Sequence, residues 1–438
     1  MRRVCLTLPT NRACTPAISA IRDEAAYAAR TFGVEVHLLI LDSADPRTFA
    51  EHAEAAAAGP AVPNVVVHHL DEAAQREFLQ RVIERAGVLK PDLVLDLMLP
   101  DDVSYGACTN RAFLIGSALG CASVHRRDSD SSYQLLDGEP VFPIQHELAS
   151  LGRRAADAQH CVTETELAPE HRQKPVVMVA GSFIGELSVD ISEIRQLDPE
   201  VYSDIVSLWA PPEWSAEQKR ELVAESFTGA GTDPFVQDRS VLTVVDPMRI
   251  DMCNISFQQV HEEVPLPPAT STIGSDYFLM HLVESAALPG VLHNRHIVNF
   301  YTPERRTDSG FTSYQLRLTK FFLSMRYFNV VYQRMAEAGG SLLDGGYRLR
   351  APMVADLLRE SAGLDREENV QRLESLDRSY RKLGGRYAEF ADLLAARGPR
   401  LLDEAQRDIE DFALLIDVWE PLIQAGKAVG LRRPQQTQ

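Results

Sequence analysis

Residues 2–43 read RRVCLTLPTNRACTPAISAIRDEAAYAARTFGVEVHLLILDS. The opening RRVCLTL is a short apolar run that stops at Pro9. An alanine-rich stretch follows and closes at Gly33, the residue type that ends helices in the left-handed conformation. VEVHLLILDS then gives a second apolar run. Neither run alternates apolar with polar, so each is expected to be a strand covered on both faces. Strand, helix and strand in so short a span predict a parallel βαβ unit. In such sheets ligands sit outside the carboxyl ends of the strands. Pro9, Thr10, Asn11 and Arg12 after the first strand, and Asp42 after the second, therefore carry the most weight.

The pattern continues. FAEHAEAAAAG reads as a helix, NVVVHHL as a third strand and DEAAQREFLQRVIERAG as an amphipathic helix closed by glycine. Ala107 to Leu119 form the next helix, with Asn110 and Arg111 near its first turns; CASVH is a strand and RRDSD lies at its carboxyl end. Pro175–Gly185 and RSVLTVVD read as further strands, Trp209–Thr232 as a long surface insertion, and Tyr277–Ser285 as a helix. VLHNRHIVNFYTPER is a histidine-containing strand or loop. Beyond about Gly310 the character changes. Tyr314, Leu318, Phe321, Met325, Phe328 and Tyr332 are spaced by three and four, a helical stripe. Pro352–Ser361, Glu368–Ala396 and Leu401–Ala428 read as three more helices. The expectation is an α/β domain over residues 1–305 with a mostly parallel sheet, an all-helical C-terminal domain over 306–430, and a disordered tail over 431–438. The helical part suits a lid and a homodimer interface alike.

The chain has 438 residues and a net charge of −18, which argues against nucleic acid and anionic membrane as partners. It does not argue against a small anionic ligand held by a local arginine cluster. The apolar run at the N-terminus is cut at Pro9, too short for a signal-peptide core, and no window approaches the roughly 20 apolar residues of a membrane span. The six cysteines include no CxxC pair and are read as reduced core residues, so the expected location is cytoplasmic.

Asp128 and Asp130 bracket Ser129. In isolation such a triplet is most often a solvated turn or helix cap. At the end of a strand in an α/β sheet it stands where a ligand binds. Arg126 and Arg127 suit charge-assisted bonds to phosphate, and equally suit neutralising the two aspartates. His68 and His69 read as structural.

The order strand–PTNR, strand–LDS, helix with NR, strand–HRRDSD resembles the nucleotide-sugar-binding half of GT-A-fold glycosyltransferases, over roughly residues 1–305. Asn110 and Arg111 stand inverted relative to the commoner order of that helix. More narrowly, the chain is similar to proteins of actinomycete antibiotic gene clusters, the S-glycosyltransferases of lincosamide biosynthesis among them. The resemblance implies a GT-A-like, Rossmann-like domain that takes a nucleotide-diphosphate sugar, a GDP-sugar by preference. The acceptor it implies is a small molecule of natural-product biosynthesis, with a thiol or thione such as ergothioneine in view. Pro9, Thr10, Asn11, Arg12, Asp42, Asn110, Arg111, Arg127, Asp128, Asp130 and Arg295 would face the donor. Asp130, His293 and His296 would hold Mg²⁺ or Mn²⁺, unless the arginines neutralise the diphosphate without metal. Asp276, in the partial motif Gly274-Ser275-Asp276, would be the general base. Its alternative is an ordinary N-cap aspartate, and a sulfur acceptor would need less help from a base. Two further readings stay open: a non-catalytic nucleotide-sugar binder, and a nucleotidyltransferase on the same scaffold. LPTNRACTP, without glycine to cradle a triphosphate, counts against the latter.

Overall fold

The structure is a computed structural model that describes residues 1–186, 191–300 and 307–431. The expected domain boundary at 305/306 and the expected tail from 432 onward lie outside the described residues.

The first third is β1 (Arg3–Thr10), α1 (Thr15–Phe32), β2 (Glu35–Asp42), α2 (Pro46–Ala57), β3 (Val65–Leu70), α3 (Glu72–Ala86), α4 (Pro91–Met98), α5 (Tyr105–Ala118) and β4 (Ser123–Arg127). Gly33 ends α1 in the left-handed region at φ 61°, and Gly87 ends α3 at φ 65°. β1 pairs in parallel with β2 on one side and β4 on the other, and β2 pairs with β3. The apolar runs are continuous because both faces are covered. Leu6, Leu8, Leu38 and Ile40 enter one buried cluster with α1, while Cys5, Leu39 and Leu41 enter another with α3 and α5.

The middle of the chain adds β5 (Ser131–Tyr133), the small hairpin β6 (Leu135–Leu136) and β7 (Glu139–Pro140), α6 (Ile144–Ser150), α7 (Ala155–Ala158), β8 (Glu164–Thr165), β9 (Met178–Ala180) and β10 (Phe183–Gly185). Then come α8 (Ser192–Leu197), α9 (Pro199–Ser207), α10 (Ala216–Glu225), β11 (Ser240–Thr243), β12 (Asn254–Gln258), α11 (Val260–Glu263), α12 (Phe278–Ser285), β13 (Gly290–His293) and β14 (Ile297–Asn299). The main sheet runs β3-β2-β1-β4-β12-β9-β13-β11-β8. It is mixed and mostly parallel, with β12 inserted antiparallel between β4 and β9. A second sheet, β10-β14-β5, flanks it.

Pro175–Gly185 is thus two strands in two sheets. The chain turns between them at Gly181, where a Cβ would lie 2.6 Å from the Asn254 side chain and 2.7 Å from His293. The stretch expected as a surface insertion contains α10, capped by Ser215 and Gln218, and its flanking Trp209 and Phe227 stack with centroids 5.4 Å apart.

The C-terminal region is α13 (Asp308–Ala338), α14 (Ala351–Ala362), α15 (Glu367–Leu383) and α16 (Gly385–Val429). The break expected near Pro399 falls instead at Gly384 and Gly385, whose φ values are 73° and 50°. Pro399 lies inside α16, held by the buried neighbours Leu394, Leu401 and Ala405. One buried cluster runs from Phe113, Phe257 and Phe278 to Phe412, Trp419 and Ile423 without interruption. Among the described residues, no helix is long and apolar enough to cross a membrane.

Candidate functional site

Chain order turns back at β1, with β2 to one side and β4 to the other. Outside the carboxyl ends of these strands lies a cavity of about 670 Å³. Pro9, Thr10, Asn11 and Arg12 line it from β1, Leu41 and Ser43 from β2, and Arg126, Asp128, Ser129 and Asp130 from β4. Ser104, Tyr105, Cys108 and Arg111 close it from the start of α5, and Gly310, Ser313, Tyr314 and Arg317 from α13.

The loop after β1 is pinned by its own side chain. Thr10 Oγ1 donates to the Arg12 carbonyl at 3.0 Å and accepts from the Arg12 N–H at 3.3 Å. Arg12 Nη1 then reaches Asp130 Oδ2 at 3.0 Å. Arg126 is the centre of the charge arrangement. Its Nη1 meets Asp276 Oδ2 at 2.5 Å, its Nη2 meets Asp128 Oδ1 at 3.1 Å, and its buried Nε has no hydrogen-bond partner among the described residues. Burial works against its charge, but Asp128 and Asp276 outweigh that and hold its pKa well above the ordinary arginine value. Arg111 also faces the cavity, anchored by Nε to Gln75 Oε1 at 2.8 Å and by Nη1 to the Met98 carbonyl at 2.6 Å.

The structure therefore gathers Pro9, Thr10, Asn11, Arg12, Arg111, Asp128 and Asp130 of the expected donor residues. Others sit elsewhere. Side chains alternate along a strand, and Arg127 turns to the face opposite Arg126. There it pairs with Glu24 Oε1 at 2.7 Å and Glu147 Oε1 at 3.0 Å, fully buried. Asn110 clamps the backbone of Leu266 through both ends of its amide, at 2.8 and 2.7 Å. Arg295 binds Asp238 through Nε and Nη2. His293 is buried against His146, ring centroids 5.5 Å apart. His296 Nδ1 accepts from the Ser182 N–H at 3.0 Å, and burial lowers its pKa to about 4. Asp276 does not cap α12 and does not line the cavity; its carboxylate is engaged by Arg126.

Asp42 lies between the cavity-lining Leu41 and Ser43, its own side chain buried. Its Oδ2 accepts from His52 Nδ1 at 2.7 Å and His69 Nε2 at 2.8 Å. Burial alone would raise its pKa, but hydrogen bonds from His69, the Ala44 N–H and His52 keep it below the usual value. Among the described residues, this is the one group of three His, Cys, Asp or Glu side chains close enough to share an ion. Its chemistry does not fit a metal. His52 Nε2 accepts from the Cys14 N–H at 3.0 Å, so the ring proton is on Nδ1, where it bonds Asp42. A metal on Nδ1 would need both ring nitrogens to act as acceptors at once. Asp130 with His293 and His296 forms no such group. Asp128 and Asp130 do offer the hard oxygen donors that Mg²⁺ or Mn²⁺ takes, and both open on the cavity.

Sequence reading passed over Arg317, Tyr105 and Tyr314. The helical stripe that contains Tyr314 marked a buried face, and only the packing of α13 against the sheet shows that its first turns face a cavity.

A family model described as "Family of unknown function (DUF6271)" matches residues 2–435. Comparison with curated proteins returns no match. Among solved structures, the chain is similar to a mannosyltransferase from Pyrobaculum calidifontis solved in complex with GDP-Man and Mn²⁺. The identity is 11%, the TM-score 0.32, and the alignment covers 96% of this chain and 86% of that one.

Proposed function

The chain belongs to the family of unknown function DUF6271, and from its own residues we propose that it is a glycosyltransferase using a nucleotide-diphosphate sugar. One observation carries this reading: a cavity at the carboxyl ends of β1, β2 and β4 is lined by Arg12, Arg111, Arg126 and Arg317 beside Asp128 and Asp130. A diphosphate leaving group needs its charge neutralised, and planar guanidinium groups match phosphate oxygens in pairs. Arg126 lines the cavity with a guanidinium that Asp128 and Asp276 keep charged. Asp276 fixes the Arg126 plane. One of the two aspartates is suited to accept from a ribose or sugar hydroxyl. A divalent ion, when bound, would supply further neutralisation of the diphosphate. Asp128 and Asp130 would hold it, and Arg12 and Arg126, now paired with them, would turn to phosphate oxygens. A GDP-sugar is the favoured donor. The favoured acceptor is a small molecule of natural-product biosynthesis, a thiol or thione such as ergothioneine included, in a cytoplasmic enzyme. The expected split into a sheet domain and a C-terminal helical domain is kept as part of this reading, with α13 covering the donor.

The test is calorimetric titration of GDP and UDP, with and without Mg²⁺ or Mn²⁺, on wild type, Asp130→Asn and Arg12→Ala. Micromolar binding of one nucleotide, weakened by both substitutions, is expected. A wild-type protein that binds neither nucleotide under any of these conditions would end the reading.

A further inference from the structure

A second cavity, of about 100 Å³, lies between α12, α13 and the segment from Trp209 to Gly229. Its walls are aromatic. Trp209 stacks on Phe227 at 5.4 Å and meets Phe321 edge-on at 5.4 Å, while Phe328 and Tyr332 stack at 5.8 Å on the α13 side. A dry apolar cavity of roughly 150 Å³ holds benzene, so this smaller space admits at most one small ring, with its side-chain walls giving slightly. Aromatic walls also favour a ring over an aliphatic chain, through stacked and edge-on contacts.

The lining includes a carboxylate that the donor site does not use. Asp251 is buried, with Oδ1 accepting from the Cys253 N–H at 2.9 Å and Oδ2 from the Tyr277 hydroxyl at 2.5 Å. Each carboxylate oxygen can accept a further bond. Among the described residues no arginine or lysine pairs with Asp251, in contrast to Asp276 on Arg126. Burial raises its pKa above the ordinary aspartate value, and the charge of Asp128 adds to that. Asp128 lines the first cavity and Asp251 the second, close enough for the charge of one to act on the other.

Resting on the donor reading above, we propose that this second cavity is the acceptor subsite. It takes a single flat ring bearing a hydroxyl or thiol, whose X–H group hydrogen-bonds to Asp251. In transfer, the X–H proton passes to the Asp251 carboxylate and the lone pair on X forms the bond to the anomeric carbon. The bond from that carbon to the diphosphate oxygen breaks, and its electron pair leaves with the nucleoside diphosphate. Asp251 then releases the proton to water.

The experiment uses the full chain and two probes that differ by one hydroxyl, p-cresol and toluene, followed by ligand-observed NMR. GDP and UDP are titrated into the same samples. Wild type is expected to bind p-cresol in preference to toluene. Ser324→Phe, which places a ring in the cavity from α13, should weaken p-cresol binding by about tenfold or more. Asp251→Asn should abolish the preference for p-cresol while toluene binding persists. Both variants should bind the nucleoside diphosphate as wild type does, which also shows that they fold. Wild type failing to bind p-cresol, or Ser324→Phe binding it undiminished, would overturn the subsite. Loss of nucleotide binding in wild type with p-cresol still bound would sink the donor reading instead.

Discussion

Arg126 and Arg127 are adjacent, identical in chemistry and nearly equal in burial, yet they face different jobs. The period of two along a strand dictates that they point apart. It does not say which one meets the cavity. That is decided by Glu24 and Glu147, which lie far from β4 in sequence and close around Arg127 in space. The acidic triplet was legible because it ends a strand; its partners were not, because ion pairs across a sheet leave no local signature. The placement separates two substitutions cleanly. Arg127→Met leaves two buried carboxylates without their cation, and breaking a buried pair in this way costs about 3–5 kcal/mol. The unfolding free energy extrapolated from urea titration should fall by that amount. Arg12→Ala removes a partly exposed guanidinium that pairs with Asp130 at the cavity mouth. It should leave stability within about 1 kcal/mol but weaken nucleoside diphosphate binding by roughly tenfold or more, the worth of a charged hydrogen bond. If Arg12→Ala lowered the urea midpoint as far as Arg127→Met, the two assignments would be reversed.

At the scale of elements, the donor cavity depends on how α5 meets the loop before α12. Ser104 caps α5, its Oγ accepting from the Ala107 N–H at 3.1 Å and donating to the Pro268 carbonyl at 3.0 Å. Gly106 follows, and a Cβ there would sit 1.9 Å from the Pro267 carbonyl oxygen. No side chain fits between helix and loop at that point. Gly106→Ala must push the loop away, and overpacking of this kind costs about 1–3 kcal/mol. The expected result is a lower melting temperature together with weaker nucleotide binding, since Tyr105, Cys108 and Arg111 line the cavity from the same helix. A Gly106→Ala protein with wild-type melting and wild-type binding would show that the loop yields freely. Elements of this kind divide by how local their causes are. α1 and α3 were readable because stripe and glycine cap sit together in sequence. The division of Pro175–Gly185 was not, because Gly181 bends away from contacts supplied by Asn254 and His293. The helix through Pro399 reads as two from sequence because the buried face that carries it across, with Leu394, Leu401 and Ala405, is set by packing.

For the molecule as a whole, α13 is one wall of both cavities, and the same helix continues the buried cluster that joins the sheet to α16. Such a continuous core is expected to melt in one calorimetric transition, and two resolved transitions would count against it. Its pH dependence follows from groups that the fold keeps neutral. Burial lowers His261, His281 and His296 to about 4, and lowers His293 as well. The unfolded chain takes up protons on these residues from about pH 6.5 downward, whereas in the folded chain His261, His281 and His296 refuse them until near pH 4 and His293 also resists protonation. Stability that is full above the unfolded value is therefore lost as pH falls through this window, by at most about 1.4 kcal/mol per pH unit for each ring and less for the half-buried His281 and His296. Buried carboxyls act the other way, among them Asp251, Glu263 and Asp411, whose pKa values burial raises. Burial raises Glu284 to about 7 and Asp408 to about 6, so the folded chain holds their protons longer and loses stability as pH rises. Between pH 7 and pH 5 the four rings take up protons in the unfolded chain alone, which leaves the histidines dominant over these carboxyls. The urea midpoint should be higher at pH 7 than at pH 5. His281→Phe, which keeps a flat ring stacked against Tyr332, should narrow that difference, and a midpoint that rises on acidification would refute the account.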